Sequence, residues 1–307
     1  MPSKIAVIGA GAWGTSLATL FAENGHTVTL WAYEEFDFPL PRSVEVVSDL
    51  QTACLDKELI VFVVPTQFTR QTIKKIKTIP QKTLLLSASK GIEIDSLKRP
   101  SQIIGEHFNR KVAVLSGPNL AVEIAQGLPA ATVVTSKVIQ RLLNSQRFRV
   151  YTGNDVIGVE LGGALKNIIA IAAGICDGLK LGENARAALL IRGISEITRL
   201  GKKLGAKENT FYGLSGMGDL ILTCGSSKSR NHEVGRRISG GEKMEEIVKS
   251  MSQVAEGIPT SKAVYKLARK LKLEMPISSG VYSVLYEGAE PFAIISELLK
   301  RKPKAED

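Results

Sequence analysis

Cysteine and histidine are both scarce in this sequence, three of each in 307 residues. Cys54, Cys176 and Cys224 are odd in number and far apart, with no metal-ligand or redox spacing between them. Neither a disulfide framework nor a zinc site is therefore expected, and a reducing, cytoplasmic compartment is the simplest setting. No histidine has a second candidate ligand near it in sequence, so no metal is expected. Aromatic residues amount to only 6% and are not interleaved with the basic ones, as a surface that stacks nucleic-acid bases would require. The opening Met1-Pro2-Ser3-Lys4 lacks the apolar core and cleavage site of a secretory signal. Only one run, Val156 to Ile175, is long enough to cross a bilayer. It carries Glu160, Lys166 and Asn167 and has no aromatic flanks; mid-span charges are costly, so no membrane span is expected. There is no fixed-period repeat, and low complexity is confined to the tail Lys300-Arg301-Lys302-Pro303-Lys304.

What remains is a chain that is 44% hydrophobic, enough to fill the core of one large or two ordinary domains. The net charge of +10 is spread over Lys74-Lys75-Lys77, Lys202-Lys203, Lys266 to Lys272 and the tail. That distribution describes a solvated basic surface, attractive to a small anionic substrate, and not a nucleic-acid site.

Short apolar runs alternate with helical patterns in the first half. Strands are expected at Ile5–Ile8, Thr27–Trp31, Leu59–Val64, Leu84–Ser87, Val112–Leu115, Thr132–Thr135 and Phe148–Tyr151. Several are apolar throughout, as in parallel strands buried on both faces. Helices are expected between them, as at Gly14–Asn24 and Thr69–Lys77. This alternation predicts an α/β fold with a Rossmann-type, doubly wound parallel sheet over residues 1–152. Strand signals then stop. Val156–Ile175, Ala185–Leu204, Lys243–Ser252 and Thr260–Leu271 read as helices, giving an all-helical domain over 153–307 with the boundary at the turn Thr152-Gly153-Asn154-Asp155. Asn184 is the expected N-cap of the second helix, and Arg192 and Glu196 an i,i+4 pair on a face other than its apolar one.

Gly9-Ala10-Gly11-Ala12-Trp13-Gly14 fits G-x-G-x-x-G. Alone the pattern is weak, but it follows a strand and opens a helix, the context in which it binds a dinucleotide. Gly9, Gly11 and Gly14 then permit a tight turn, close approach to a pyrophosphate and tight helix–strand packing, and the helix N-terminus offers free N–H groups to the phosphates. After the second strand come Tyr33, Glu34 and Glu35 with no arginine next to them, which leans the cofactor towards NAD over NADP.

Lys166 stands out in the second half. With Asn167 it lies in a helix that is apolar nearly all round and therefore buried. A buried ammonium is costly unless paired, and burial lowers its pKa. Glu160 lies about 120° round the helix from it, so the partner of Lys166 must come from another segment. Four loops could supply chemistry: Ser87 to Gly91, Ser116 to Asn119, Leu214 to Asp219, and Ser226-Ser227-Lys228-Ser229-Arg230-Asn231. The last suits a phosphate monoester, because arginine can bind one bidentately.

In order, Gly9 to Gly14, Ser89-Lys90-Gly91, Leu115-Ser116-Gly117-Pro118, Val159-Glu160-Leu161-Gly162-Gly163-Ala164-Leu165-Lys166-Asn167, Gly216-Met217-Gly218-Asp219-Leu220, Ser229-Arg230-Asn231 and Val254-Ala255-Glu256-Gly257 closely resemble the bacterial glycerol-3-phosphate dehydrogenase (NAD(P)+) family over nearly the whole chain. The resemblance implies reversible hydride transfer between sn-glycerol 3-phosphate and dihydroxyacetone phosphate, supplying glycerol 3-phosphate for phospholipid synthesis. It implies Lys166 as the proton acceptor, with Lys90, Asp219 and Asn167 assisting. Lys90, Gly117, Asn119, Lys166, Asp219, Ser229, Arg230 and Asn231 match its substrate-binding positions. Ala12, Trp13, Tyr33, Lys90, Ala121, Arg230, Val254 and Glu256 match its cofactor contacts. Its partners would be NAD(P) and a small phosphorylated substrate, and it leaves a homodimer open. Three positions depart from the family: Asn119 replaces the usual Ser or Thr, Ala12 a frequent Ser, and Tyr33 a frequent Arg or His. Segments Glu35–Ser43 and Ser136–Ser145 are shorter than usual. A related dehydrogenase for another small anionic substrate, and a non-catalytic dinucleotide sensor or nucleic-acid binder, are the alternatives.

Overall fold

The structure, a computed structural model, describes every residue except Met1, Asp37, Ser252 and residues 303–307. The far end of the basic tail and the final residue of the helix expected at Lys243–Ser252 lie outside the described residues. So does Asp37, within the shortened segment after the second strand.

The first half builds one sheet from β1 (Lys4–Ile8), β2 (Thr27–Trp31), β3 (Val44–Val47), β4 (Leu59–Phe62), β5 (Leu84–Ser87), β6 (Ala113–Ser116), β7 (Ala130–Val134) and β8 (Phe148–Thr152), in the order β3-β2-β1-β4-β5-β6-β7-β8. Between its strands lie the helices α1 (Ala12–Glu23), α2 (Leu50–Cys54), α3 (Thr69–Ile73), α4 (Pro100–Phe108), α5 (Ala121–Ala125) and α6 (Lys137–Leu143). Strand β1 is central: Ile5 pairs with Val28 on one side and Leu59 on the other, and Ile5 to Ile8 are fully buried. The chain order turns back beside β1, the point at which open α/β sheets leave a crevice outside the carboxyl ends of their strands.

Three expectations need correction here. The sheet is mixed, because β7 runs antiparallel to β6 (Leu115 opposite Val134). The connection between them contains the five-residue α5, and the chain returns directly beside the end of β6, where the Thr132 hydroxyl donates to the Ser116 carbonyl at 3.0 Å. Strand β3 was not expected: Val44-Glu45-Val46-Val47 is short, and as an edge strand it carries an exposed glutamate. The helix expected over Thr69–Lys77 ends at Ile73.

The second half is helical: α7 (Val156–Gly178), α8 (Glu183–Lys203), α9 (Asp219–Gly225), α10 (Arg230–Ser239), α11 (Met244–Ser250), α12 (Gly257–Leu271), α13 (Pro276–Tyr286) and α14 (Pro291–Leu299). Asp155 caps α7: one carboxylate oxygen accepts from Gly158 N at 2.9 Å, and the other from Lys207 N and the Thr210 hydroxyl. Helices α8, α9, α10, α12 and α13 pack around α7, which is buried without a break from Gly158 to Ile171. That position explains its apolar composition on every side; its membrane-length window is 83% buried in protein. Glycines let α10 cross it backbone to backbone. A Cβ on Gly174 would lie 1.9 Å from the His232 carbonyl oxygen, and one on Gly235 2.0 Å from that of Ile171. Gly182, not Asn184, occupies the N-cap of α8, at φ 86°. Glu196 is buried, not on a solvated face beside exposed Arg192. Its carboxylate accepts from the backbone N–H groups of Ile277 and Ser278 in the first turn of α13, where a negative charge is favoured. The two halves also interlock: Ile92, Ile94 and Leu97, from the loop after β5, pack into the helical core.

Candidate active site

The G-x-G-x-x-G turn joins β1 to α1 as its spacing requires. Gly9 adopts φ 120°, outside the range of most L-residues, and a Cβ there would press to 3.2 Å on the Val63–Val64 backbone. A Cβ on Gly14 would fall 1.9 Å from the Gly9 carbonyl oxygen. Nothing lies within 4 Å of where a Cβ on Gly11 would be, so the mouth of the turn is open. No side chain caps α1 and no acid lies in its first turn, which leaves its N–H groups and positive dipole end for an external anion. Trp13 follows, its indole N–H buried without an acceptor among the described residues. Ala121, at the start of α5, is tied to α1 by a 3.1 Å bond from the Ser16 hydroxyl to its carbonyl. Tyr33 is 72% exposed beyond β2, and the Lys75 ammonium stands 5.5 Å from its ring centre. Glu34 and Glu35 are exposed beside it.

The second cluster lies where the sheet meets α7. Lys166 is buried, and its partner from another segment is Asp219, the first residue of α9. Lys166 Nζ donates to Asp219 Oδ1 at 2.9 Å and to Thr223 Oγ1 at 2.6 Å. Lys90, beyond β5, reaches the same carboxylate from the other side, donating to Asp219 Oδ2 at 2.6 Å and to the Gly117 carbonyl at 3.0 Å. One buried carboxylate thus holds two ammonium groups. Burial pushes the Lys166 pKa down from 10.5 to about 8; Asp219 opposes this and Lys90 adds to it. Burial acts to raise the Asp219 pKa, but the charges of Lys166 and Lys90 outweigh it and hold the carboxyl below its ordinary value. An ammonium has three N–H groups. Among the described residues Lys166 and Lys90 each use two, leaving one each for a ligand.

Thr223 is a member that the sequence reading missed. It lies one turn beyond Asp219 on α9, and its hydroxyl is 3.2 Å from Asp219 Oδ1; the i,i+4 spacing in Asp219-Leu220-Ile221-Leu222-Thr223 was the available signal.

Asn167 links this cluster to the start of α10. Its Oδ1 accepts from Asn231 Nδ2 at 2.9 Å, and Asn231 Oδ1 accepts from Gly257 N at 2.9 Å. The Asn231 amide is therefore occupied inside the fold. Ser229 caps α10, accepting from His232 N. What this end of α10 turns outward is the guanidinium of exposed Arg230, bonded at 2.9 Å to the Val254 carbonyl, together with the N–H groups of the first helical turn. Asn119 donates to the carbonyls of Pro118 and Ala131, while its own Oδ1 is buried without a partner among the described residues. Glu256 ties the start of α12 to the segment after β4. Its Oε1 accepts from Thr66 N at 2.7 Å, and its buried Oε2 has no partner among the described residues. Burial pushes its pKa up to about 7, against the pull of the Thr66 N–H and of Arg230.

The N-terminal model of NAD-dependent glycerol-3-phosphate dehydrogenases matches residues 4–38 and 36–141, and the C-terminal model matches 155–296. The chain belongs to that family. It is 43% identical to the glycerol-3-phosphate dehydrogenase (NAD(P)+) of Syntrophotalea carbinolica, with 99% of each chain covered. It is 44% identical to that of Geobacter sp. (strain M21), over 100% of this chain and 99% of the relative. The crystal structure of glycerol-3-phosphate dehydrogenase from Coxiella burnetii superposes with a TM-score of 0.94 at 37% identity, covering 98% of this chain and 99% of that one. A ketopantoate reductase of the PanE/ApbA family from Ralstonia eutropha shares the fold alone, at 15% identity and a TM-score of 0.60. In the glycerol-3-phosphate dehydrogenase family frame, the open glycine turn and the Lys166–Asp219–Lys90 cluster lie on one chain whose two halves both match.

Proposed function

We propose that this protein interconverts sn-glycerol 3-phosphate and dihydroxyacetone phosphate with NAD(P) as the redox partner. The observation that carries the reading is the Asp219 carboxylate held between Lys166 and Lys90, each with an N–H to spare. Two ammonium groups face that one carboxylate, exposed Arg230 adds a further cation at the start of α10, and that surplus suits a phosphate monoester.

The chain's own groups fit the cofactor. The uncapped start of α1 and the open Gly11 would take the pyrophosphate, and the unpartnered Trp13 N–H and Glu256 Oε2 would take polar atoms of the dinucleotide. Tyr33, Ala121 and Val254 would line its flanks. Bound there, the nicotinamide supplies or accepts the hydride at C2 of the substrate. Lys166, as ammonium, gives its free proton to the oxygen on C2 during reduction; as amine, it takes the hydroxyl proton during oxidation. A pKa of about 8 keeps both forms accessible near neutrality, the condition for efficient general acid–base work. Lys90 directs its free N–H at the same oxygen and stabilises developing negative charge. Arg230 and the N–H groups opening α10 hold the phosphate, and that remote binding energy orients C2. Asn119 Oδ1 is an acceptor for a substrate hydroxyl, Gly117 positions Lys90, and Ser229, Asn231 and Asn167 hold the phosphate end against the proton-transfer end. The three cysteines are buried and free, which suits a reducing compartment, and we place the enzyme in the cytoplasm.

The test is absorbance at the nicotinamide band with dihydroxyacetone phosphate and either NADH or NADPH. Turnover with at least one is expected, and unphosphorylated dihydroxyacetone should be a very poor substrate. Glu34 and Glu35 beyond β2 favour NADH at least equally; a tenfold preference for NADPH would overturn that part alone. No turnover with either cofactor would overturn the reading.

A further inference from the structure

Glu160 belongs to the α7 motif but takes no part in the cluster around Lys166. It is buried, and both carboxylate oxygens are occupied by the segment that opens α4. Oε1 accepts from Ser101 N at 2.7 Å; Oε2 accepts from the Ser101 hydroxyl at 2.5 Å and from Arg99 at 2.6 Å. Lys166 follows six residues later on the same helix, roughly 9 Å along a rigid axis. Lys90 begins the loop that ends at Arg99. Two lysines on one carboxylate are thus carried by two segments, and Glu160 fastens those segments together.

The loop between Lys90 and Arg99 is built to transmit that fastening. Glu93 N donates to the Lys98 carbonyl at 3.0 Å and Leu97 N to the Glu93 carbonyl at 2.9 Å, closing the loop on itself. Leu97 is held at φ 60°, a left-handed conformation that is strained for a non-glycine residue and persists only where the surroundings over-determine it. Ile92 is packed in the helical core, and Arg70 grips the Glu93 carboxylate from α3. A closed loop pinned at its far end fixes its near end.

We infer that Glu160 is a positioning residue: by clamping Arg99 and Ser101 to α7 it sets the placement of Lys90 against Lys166 and Asp219 across the junction of the two halves. The inference rests on the proposed roles of the two lysines, but its test can be read without turnover. The titratable groups facing Lys166 are Asp219, Lys90 and Cys224. Of these, Lys90 is the one carried by the clamped loop, and its charge favours the neutral form of Lys166. Shortening the clamp by one methylene, Glu160→Asp, should let Lys90 retreat. The Lys166 titration, followed in the full-length protein by NMR of 13C-methylated lysines, should then move up by about 0.5 pH units or more. In the assay, kcat should fall on the order of 10-fold, while KM for dihydroxyacetone phosphate changes less than threefold. Ser101→Ala, which keeps the ion pair and loses the hydroxyl's bonds to Glu160 and Arg99, should give the same pattern in weaker form and serves if Glu160→Asp fails to fold. A lowered melting temperature with an unmoved Lys166 titration and parental kcat would make Glu160 a stability residue only and overturn the inference. Absence of turnover in the parent, with the titration still shifted, would overturn the proposed reaction and leave the positioning intact.

Discussion

Replacing Lys166 by methionine separates catalysis from stability, because the structure gives the two opposite signs. Methionine keeps most of the stem volume inside α7 and removes the charge. In the parent, the folded-state pKa of about 8 lies below the ordinary 10.5, so the folded protein disfavours the charged form. A depression of that size corresponds to about 3 kcal/mol against folding at neutral pH. The penalty is present in full below pH 8 and fades as pH rises from there towards 10.5, where the unfolded chain also loses its proton. Removing the ammonium relieves it. The usual objection is a stranded partner, but Asp219 keeps Lys90 at 2.6 Å on its other oxygen and the Thr223 hydroxyl at 3.2 Å. Lys166→Met should therefore unfold at a temperature no lower than the parent at pH 7, and the advantage should shrink by pH 10. NADH affinity should be unchanged, since the glycine turn lies in the sheet half. Turnover should fall by about 10²–10⁴, the usual contribution of general acid–base catalysis. Melting curves at both pH values, NADH binding by fluorescence and turnover, all on one preparation, decide the matter. A folded, NADH-binding variant with turnover within threefold of the parent would refute the proton-transfer role. A large fall in melting temperature with near-normal turnover would refute the energetic argument as well.

Three further outcomes are expected. Under the proposed mechanism ketone reduction needs Lys166 protonated and alcohol oxidation needs it neutral, so kcat for reduction should fall, and for oxidation rise, as pH rises through about 8; two profiles bending in the same direction would exclude Lys166 as the titrating group. Arg230→Ala should weaken use of dihydroxyacetone phosphate by roughly 2–5 kcal/mol in kcat/KM with little effect on unfolding, and equal efficiency in parent and variant would remove Arg230 from phosphate binding. Because burial raises Glu256 to about 7, its contribution to stability is complete below the ordinary 4.5 and is lost as pH rises through 7. Glu256→Gln, which can still accept from Thr66 N, should therefore raise the melting temperature at pH 8 and leave it unchanged near pH 4, and a variant no more stable than the parent at pH 8 would contradict the assigned burial.

The sequence by itself determined the local and periodic features. An apolar strand running into G-x-G-x-x-G fixes a turn that only glycine accommodates, and the structure has it at Gly9 and Gly14. A helix apolar on every side must be central, and α7 is. A lone lysine in such a helix must find an opposite charge elsewhere. Sequence could state that requirement but not name its solution, because Asp219 lies on a separate helix and nothing in one dimension records which carboxylate arrives. Short, edge and turn-bounded elements escaped for a related reason. Strand β3 is held by pairing to β2 more than by its own pattern, α8 opens on a left-handed Gly182 where Asn184 has the better capping chemistry, and the direction of β7 is set by contacts such as that of the Thr132 hydroxyl with the Ser116 carbonyl. Tertiary structure alone decided that Asp219 serves two lysines at once, that the Asn231 amide is turned inward while Arg230 is left outside, and that Glu160 binds α7 to the start of α4. The physical reason is common to all three. Burial strips water from the groups turned inward, so each takes whatever partner the packing brings within reach, and that is fixed only when the helices and the sheet close around α7.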